Sequence, residues 1–319
     1  TYNSVSKLGM FFDKVLESVL RVDYENLHVI IVDNCSKDHT VSYVKEYVSE
    51  RDFKKRVRIL RLRRNYGWAG GSNRGAFALK NTNYLFFMND DIVLKPNALK
   101  NLVDAMENIP ELGAVQPVIV NSDGTYNMGF SLSLGYTPNP ITAYDITKFL
   151  SNDVVEISYA MGAALLTRTR LFFKLGMFDE SYFYWFEDVD YCLRLQSLGY
   201  KIGCLLNTYV YHYGSATLGK SNPKLNYYYV RNHIWFLIKN MPLTRILVHS
   251  ALGLVESATT TLLHNLRIGS SLAMIYTILG YKDGIVKIKK ALEKRTYIGN
   301  KLQHSLSPKI TGRILKLIK

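Results

Sequence analysis

Four short apolar runs, each closed by polar residues, decide what the first 120 residues can become. LHVIIVDN (27–34) is built like a buried parallel strand, and HTVSYVKEYVSE (39–50) then takes helical spacing. VRILRL (57–62) is the next strand, and a glycine-rich turn leads into a helix around residues 74–80. Tyr84–Met88 is the third strand, Pro96 is placed to open a helix over NALKNLVDAMEN, and GAVQPVIV (113–120) is the fourth. Strands alternating with helices predict an α/β fold on an open, mostly parallel sheet. In such sheets ligands bind beyond the carboxyl ends of the strands. Asp33, the glycine loop after Leu62 and the triplet Asn89-Asp90-Asp91 all fall on that edge.

The middle of the chain is less regular. DGTYNMGFSLSLGY suits a hairpin and loop, and EISYAMGAALLTR (156–168) a strand that turns at Gly162. FEDVDYCLRLQSLGY (186–200) predicts a helix with an acidic start, apolar positions at Val189, Cys192, Leu193 and Leu195, and a stop at Gly199. From residue 222 the chain turns aromatic and helical, in NYYYVRNHIWFLIKNMP and then over about 243–265, 268–281 and 284–295. Arg245, His249, Glu256 and Arg267 interrupt its apolar runs, so no clean span of ~20 apolar residues exists. The expected organisation is an α/β domain over 1–221 and a helical, basic region over 222–319. That region either lies in a membrane interface or caps the sheet.

Charge separates the two parts further. Residues 282–319 hold 11 Lys or Arg against two acids, giving +9 of the net +14 and leaving +5 for the other 281 residues. Such a tail meets nucleic acid or anionic lipid. Nucleic acid would also require stacking aromatics on the basic patch. The aromatic clusters lie at 182–186 and 227–236, away from the tail, so a nucleic-acid partner is not expected. Three cysteines without C-x-x-C spacing argue for a reducing compartment and against zinc. No signal peptide opens the chain, and TYN is expected to be the end of a strand whose beginning is missing.

Each polar feature on the sheet edge admits two readings. Asp90 and Asp91 suit a hard divalent cation that also takes phosphate oxygens, or a helix N-cap. Asp33 suits a carboxylate accepting from a nucleobase, or a plain turn with Ser36 and Asp38. The loop NYGWAGGSNRG (65–75) lets backbone approach phosphate or sugar, yet it is neither a G-x-G-x-x-G nor a P-loop. Glu187, Asp188 and Asp190 raise one another's pKa, as a general base requires, or simply favour a helix dipole. Asp190 suits the structural role, or a pair with Arg194.

In order along the chain, VDNCSKDHT, NYGWAGGSNRG, MNDD, GAALLTR, GMFDESYFYWFEDVDYCLRLQSLGY and YVYHYGSAT resemble the inverting family-two glycosyltransferases of the GT-A fold, in their rhamnosyltransferase-like branch. The resemblance covers about residues 1 to 240. It implies a GT-A α/β domain with a C-terminal α-helical extension and a nucleoside-diphosphate donor, dTDP-rhamnose or a UDP-sugar. Asp33, Asn3, Asn65, Gly71, Asn73 and Asp90 would bind that donor. Asp91 and His212 would hold Mn2+ or Mg2+. Asp188, beside Glu187, would be the catalytic base, and Trp185 would stack on an acceptor sugar. Asn89 stands where a strict D-x-D has its first acid. The acceptor would be a glycan or lipid-linked glycan in cell-surface polysaccharide or glycoconjugate synthesis, with the enzyme peripheral on the cytoplasmic face of an anionic membrane. The rival is a catalytically inert sugar-nucleotide-binding or scaffold homologue, whose mark would be loss of the Glu-Asp pair or the metal acids, and both are present.

Overall fold

The four apolar runs form the strands they predict, and the residues that close them gather at one edge. The computed structural model of the protein describes residues 1–51, 56–132, 137–144, 154–214, 222–241 and 271–295, with Val255 and Thr259. Helices α1 (Ser4–Leu8) and α2 (Met10–Leu20) precede β1 (Val29–Asp33), α3 (Thr40–Glu50) and β2 (Val57–Arg61). Then come α4 (Gly67–Ala78), β3 (Tyr84–Met88), β4 (Ile92–Val93), α5 (Ala98–Asn108) and β5 (Leu112–Asn121). The hairpin strands β6 (Tyr126–Leu132) and β7 (Pro138–Ala143) lead to β8 (Val154–Glu156), β9 (Ala164–Arg168) and α6 (Thr169–Lys174). The chain closes with α7 (Glu187–Ser197), β10 (Lys201–His212), α8 (Lys224–Asn240), α9 (Ser271–Val286) and α10 (Ile288–Glu293).

The mixed α/β architecture and helical C-terminal part are as expected, but the pairing is not mostly parallel. Among the described strands only β1–β2 and β5–β10 pair in parallel. The main sheet runs β3-β9-β5-β10-β4, and β9 lies antiparallel to both β3 and β5. The reason is local. After β5 the chain continues through hairpins rather than crossover helices, and such connections return a strand antiparallel to its neighbour. One antiparallel pair explains the apolar residues that follow the acids of YLFFMNDDIVL. Ile92 and Val93 form β4 against the end of β10, opposing Ile92 to His212 and so bringing that imidazole to Asp91.

The glycine loop is also not a loop. Residues 67–78 are helix α4, which starts well before the helix expected at 74–80. Its glycines serve contact: a Cβ on Gly75 would come 2.8 Å from Val32, and one on Gly67 would overlap the carbonyl of Phe183. Gly67 also sits at φ +74, where other residues are strained.

Helix α7 matches its expectation, with Val189, Cys192, Leu193 and Leu195 buried and Gly199 in the left-handed region after it. The boundary expected at 221/222 does not divide two cores. Val230, Ile234, Trp235, Phe236 and Leu237 of α8 join the same apolar cluster as Leu85, Leu165 and Tyr191 of the sheet and α7. The helix expected at 243–265 and the basic tail beyond residue 295 lie outside the described residues.

Candidate active site

Two carboxylate pairs, one from a strand end and one from a helix start, lie within electrostatic reach of one phenol, that of Tyr184. Asp90 and Asp91 follow β3, while Glu187 and Asp188 open α7. Burial first, then the charges of Glu187, Asp91, Asp90 and Asp188, push the pKa of that phenol up.

Asp91 is 2 % exposed, and its Oδ1 has no hydrogen-bond donor. The nearest group is Nε2 of His212, 3.2 Å away but too poorly aligned to bond. A buried, under-satisfied carboxylate oxygen beside an imidazole fits a divalent cation better than a helix cap, which would engage backbone N–H groups. No group of three or more His, Cys, Asp or Glu side chains among the described residues could hold a metal alone. The pair therefore suits a cation of the magnesium or manganese kind, which takes one or two protein ligands and completes its shell with substrate phosphates and water.

Across the mouth, Glu187 is 5 % exposed and its Oε2 also lacks a partner. Burial, then the charge of Asp188, raises its pKa well above the ordinary carboxyl range. Asp188 is half-buried and accepts hydrogen bonds from the N–H of Gly162 at 2.9 Å and of Val189 at 2.8 Å. Burial raises its pKa too, against those two bonds. Asp188 has two backbone N–H donors and Glu187 Oε2 has none, so negative charge is better held on Asp188 than on Glu187.

Around this centre the expected donor residues take unequal places. Asp33 is 1 % exposed and accepts from the N–H of Ser36. The Ser36 hydroxyl accepts from the N–H of Asn3, whose Oδ1 accepts from the N–H of Lys37 at 2.7 Å. One residue on, the Ser4 hydroxyl donates to Asp90. Asp33, Asn3 and Asp90 are thus linked into one wall. Gly71 is buried on α4, where an added Cβ would meet the amide of Asn34 at 3.3 Å.

Two other donor candidates are tied into local structure. Asn65 accepts from the N–H of Gly67 in a turn that starts α4. Asn73 bonds both backbone groups of Phe178 and reaches Glu180, so its amide pins the loop before α7 instead of lining a pocket. Buried amides are used this way because each unsatisfied group costs about 1–3 kcal/mol.

Three residues that the sequence did not single out complete the site. Trp68 donates its indole N–H to Asn89 Oδ1 at 2.7 Å and its backbone N–H to Phe183, and a Cβ on Gly162 would strike its ring. Asn89, in the place of the first acid of a D-x-D, therefore anchors an indole. Arg231 and Asn232 of α8 hold the loop SYFYWFED. Asn232 Nδ2 lies within 3.0 Å of the carbonyls of Tyr182, Tyr184 and Trp185. The Arg231 guanidinium reaches Ser181 and Tyr182. The clamp is needed because Phe183, Trp185 and Phe186 all sit at positive φ, a strained region for such side chains. It presents Trp185, 38 % exposed, stacked against Tyr184 beside the acids. The only sequence hint was an Arg-Asn pair inside an aromatic helix.

Comparison with known proteins shows the family and the fold. The model of "Glycosyl transferase family 2" matches residues 1–169, a span that includes Asp33 and Asp91 but ends before Glu187, Asp188 and His212. An N-acetylglucosaminyl-diphospho-decaprenol L-rhamnosyltransferase of Mycobacterium tuberculosis is 25% identical over 236 residues, covering 66% of this chain and 75% of that protein. The fold is similar to GalNAc-T7 solved with UDP, GalNAc and Mn2+ (TM-score 0.57, 16% identity, 72% of this chain), of which this chain spans 46%. It is also similar to the mannosyltransferase PcManGT of Pyrobaculum calidifontis in complex with GDP-Man and Mn2+ (TM-score 0.54, 16% identity), over 93% of this chain and 82% of that one.

Proposed function

The chain belongs to glycosyl transferase family 2, and from that premise we propose that it moves a sugar, with inversion, from a nucleoside-diphosphate donor to a glycan or lipid-linked glycan acceptor. The observation that carries this reading is two buried, under-satisfied acids around Tyr184, Asp91 beside His212 and Glu187 beside Asp188. dTDP-rhamnose or a UDP-sugar is the proposed donor, supported by the rhamnosyltransferase relative.

In the proposed reaction Asp188 accepts the proton of the acceptor hydroxyl. The acceptor oxygen forms its bond to the anomeric carbon as the bond from that carbon to the diphosphate oxygen breaks. Attack and departure on opposite faces invert the centre. Glu187, protonated, leaves Asp188 as the single charge in its pair and so preserves a base. A divalent cation held by Asp91 and His212 would neutralise charge growing on the departing diphosphate. Asp33 is proposed to accept from the nucleobase, and Trp185 to stack on the acceptor sugar.

A thermal-shift panel of UDP, dTDP, GDP and ADP, each with and without manganese or magnesium, tests the donor half of this reading. A ligand raises the melt according to its concentration over its dissociation constant. One nucleotide should stabilise the protein chiefly when metal is present. Asp91→Ala should remove that metal-dependent gain, a loss of about 2 kcal/mol or ~30-fold in nucleotide affinity. Unchanged metal dependence in Asp91→Ala would take the cation away from Asp91.

A further inference from the structure

Helix α9 is built inside out. Its inward face is small: Ala273, Thr277, Gly280 and Gly284 are buried. That face lies so close to α8 that a Cβ on Gly280 would come 2.8 Å from the Tyr227 carbonyl oxygen, and one on Gly284 2.6 Å from Ile234. The Trp235 indole N–H donates to the Gly284 carbonyl, and the Tyr227 hydroxyl donates to Asp283. The outward face is large and apolar. Leu272 is 50 % exposed, Ile275 52 %, Ile278 60 %, Ile285 62 % and Val286 69 %. A surface helix in water turns its large apolar residues to the core and its polar ones out. Small residues at the helix contact with branched aliphatics outward is the arrangement of helices whose surroundings are lipid.

Length and charge say what kind of apolar surroundings fit. Among the described residues no helix is long and apolar enough to cross a membrane. The described part of α9, 16 residues, spans ~24 Å, against ~30 Å for the hydrocarbon core. Lys282 is exposed on the outward face, and Lys289 and Lys290 are exposed on α10 just beyond it. Residues 271–295 carry six Lys or Arg against Asp283 and Glu293. A second copy of the chain would bring like charge against like charge, whereas an anionic leaflet complements it.

We propose that the outward face of α9 seats the protein on an anionic lipid leaflet, with Leu272, Ile275, Ile278, Ile285 and Val286 in the acyl boundary and Lys282, Lys289 and Lys290 among the head groups. This goes beyond the transfer reaction and does not depend on it. It does bear on it, because α9 packs on α8, and α8 carries the Arg231–Asn232 clamp on the Trp185 loop. A membrane seat on α9 therefore fixes the height of the acceptor side above the lipid.

The test is flotation of the full chain with vesicles of phosphatidylcholine alone or mixed with phosphatidylglycerol. The wild type should float with the mixed vesicles and stay down with phosphatidylcholine alone. Ile275→Glu combined with Ile278→Glu should cut the floated fraction at least ~10-fold. Met10→Glu, another change at an exposed apolar site, should leave it unaltered. The nucleotide thermal shift of the double variant should equal the wild type's, which separates failure of the seat from failure of the proposed reaction. Wild type that stays down with mixed vesicles, or a double variant that floats as well as wild type, would overturn the seat. So would a wild-type dimer that the double variant dissociates while neither floats, since the face would then be an interface between copies.

Discussion

Asp188 and Asp190 stand two residues apart in the first turn of α7 and live in opposite worlds. Asp188 belongs to the mouth, where Glu187 Oε2 and Asp91 Oδ1 are buried without donors. Asp190 belongs to a closed network behind it. Arg194 Nε lies 2.8 Å from its carboxylate, Lys239 Nζ 2.9 Å and the Asn240 amide 3.0 Å. Lys239 also pairs with Asp179, which Lys294 reaches from the other side. Burial alone would raise both network acids. For Asp190 the charges of Arg194 and Lys239 outweigh it, and for Asp179 those of Lys239 and Lys294, with the Ser181 hydroxyl, so both pKa values fall. The difference separates acids paired within the fold from buried acids left without donors.

Breaking the comparison at its reactive end should give the largest effect. Asp188→Asn removes the proposed base while keeping the shape, so turnover should fall by about 10²–10⁴-fold. The melting temperature and the nucleotide thermal shift should stay near wild type, and transfer assays on the variant check this. Retained turnover would move the base elsewhere.

At the closed end the expectation reverses. Asp190→Ala leaves Arg194 and Lys239 buried without one of their carboxylates, and urea denaturation should show a loss of about 3–5 kcal/mol. A loss under ~1 kcal/mol would mean that the network is decoration and that the two acids do not differ in kind.

The smallest effect sharpens the contrast through pH. Glu187 has a raised folded pKa, so its stabilising contribution is complete below the ordinary Glu value and fades as pH climbs through the raised one. Asp179 and Asp190 have lowered folded values, so theirs is complete above the ordinary Asp value and fades as pH falls through the lowered ones. Through these groups the mouth contributes on the alkaline side and the network on the acid side. Glu187→Gln should match wild type near pH 4 and exceed it by roughly 1 kcal/mol or more at pH 9. Parallel curves for the two proteins would place the proton proposed on Glu187 elsewhere.

The sequence by itself determined the α/β class, the four strands of the first 120 residues, the acids at their ends and the acidic start of α7. It could do so because strand and helix are written in local periodicity, and a polar residue closing an apolar run falls at a strand end wherever the strand goes. The ordered motifs also sufficed for the family. The sequence offered Asp190 its structural role beside Arg194, but tertiary structure decided the surroundings of the other acids. Arg194 pairs with Asp190 along α7, as the spacing already allowed. The other partners of Asp190, Lys239 and Asn240, lie on α8, 49 and 50 positions away, and His212 reaches Asp91 only through the pairing of β4 with β10. It also turned a supposed phosphate loop into a helix whose glycines admit Val32 and Phe183, and it gave Asn73 and Asn89 to Phe178 and Trp68. A side chain's chemistry depends on its burial and on the groups that surround it, and those come from residues distant in the chain.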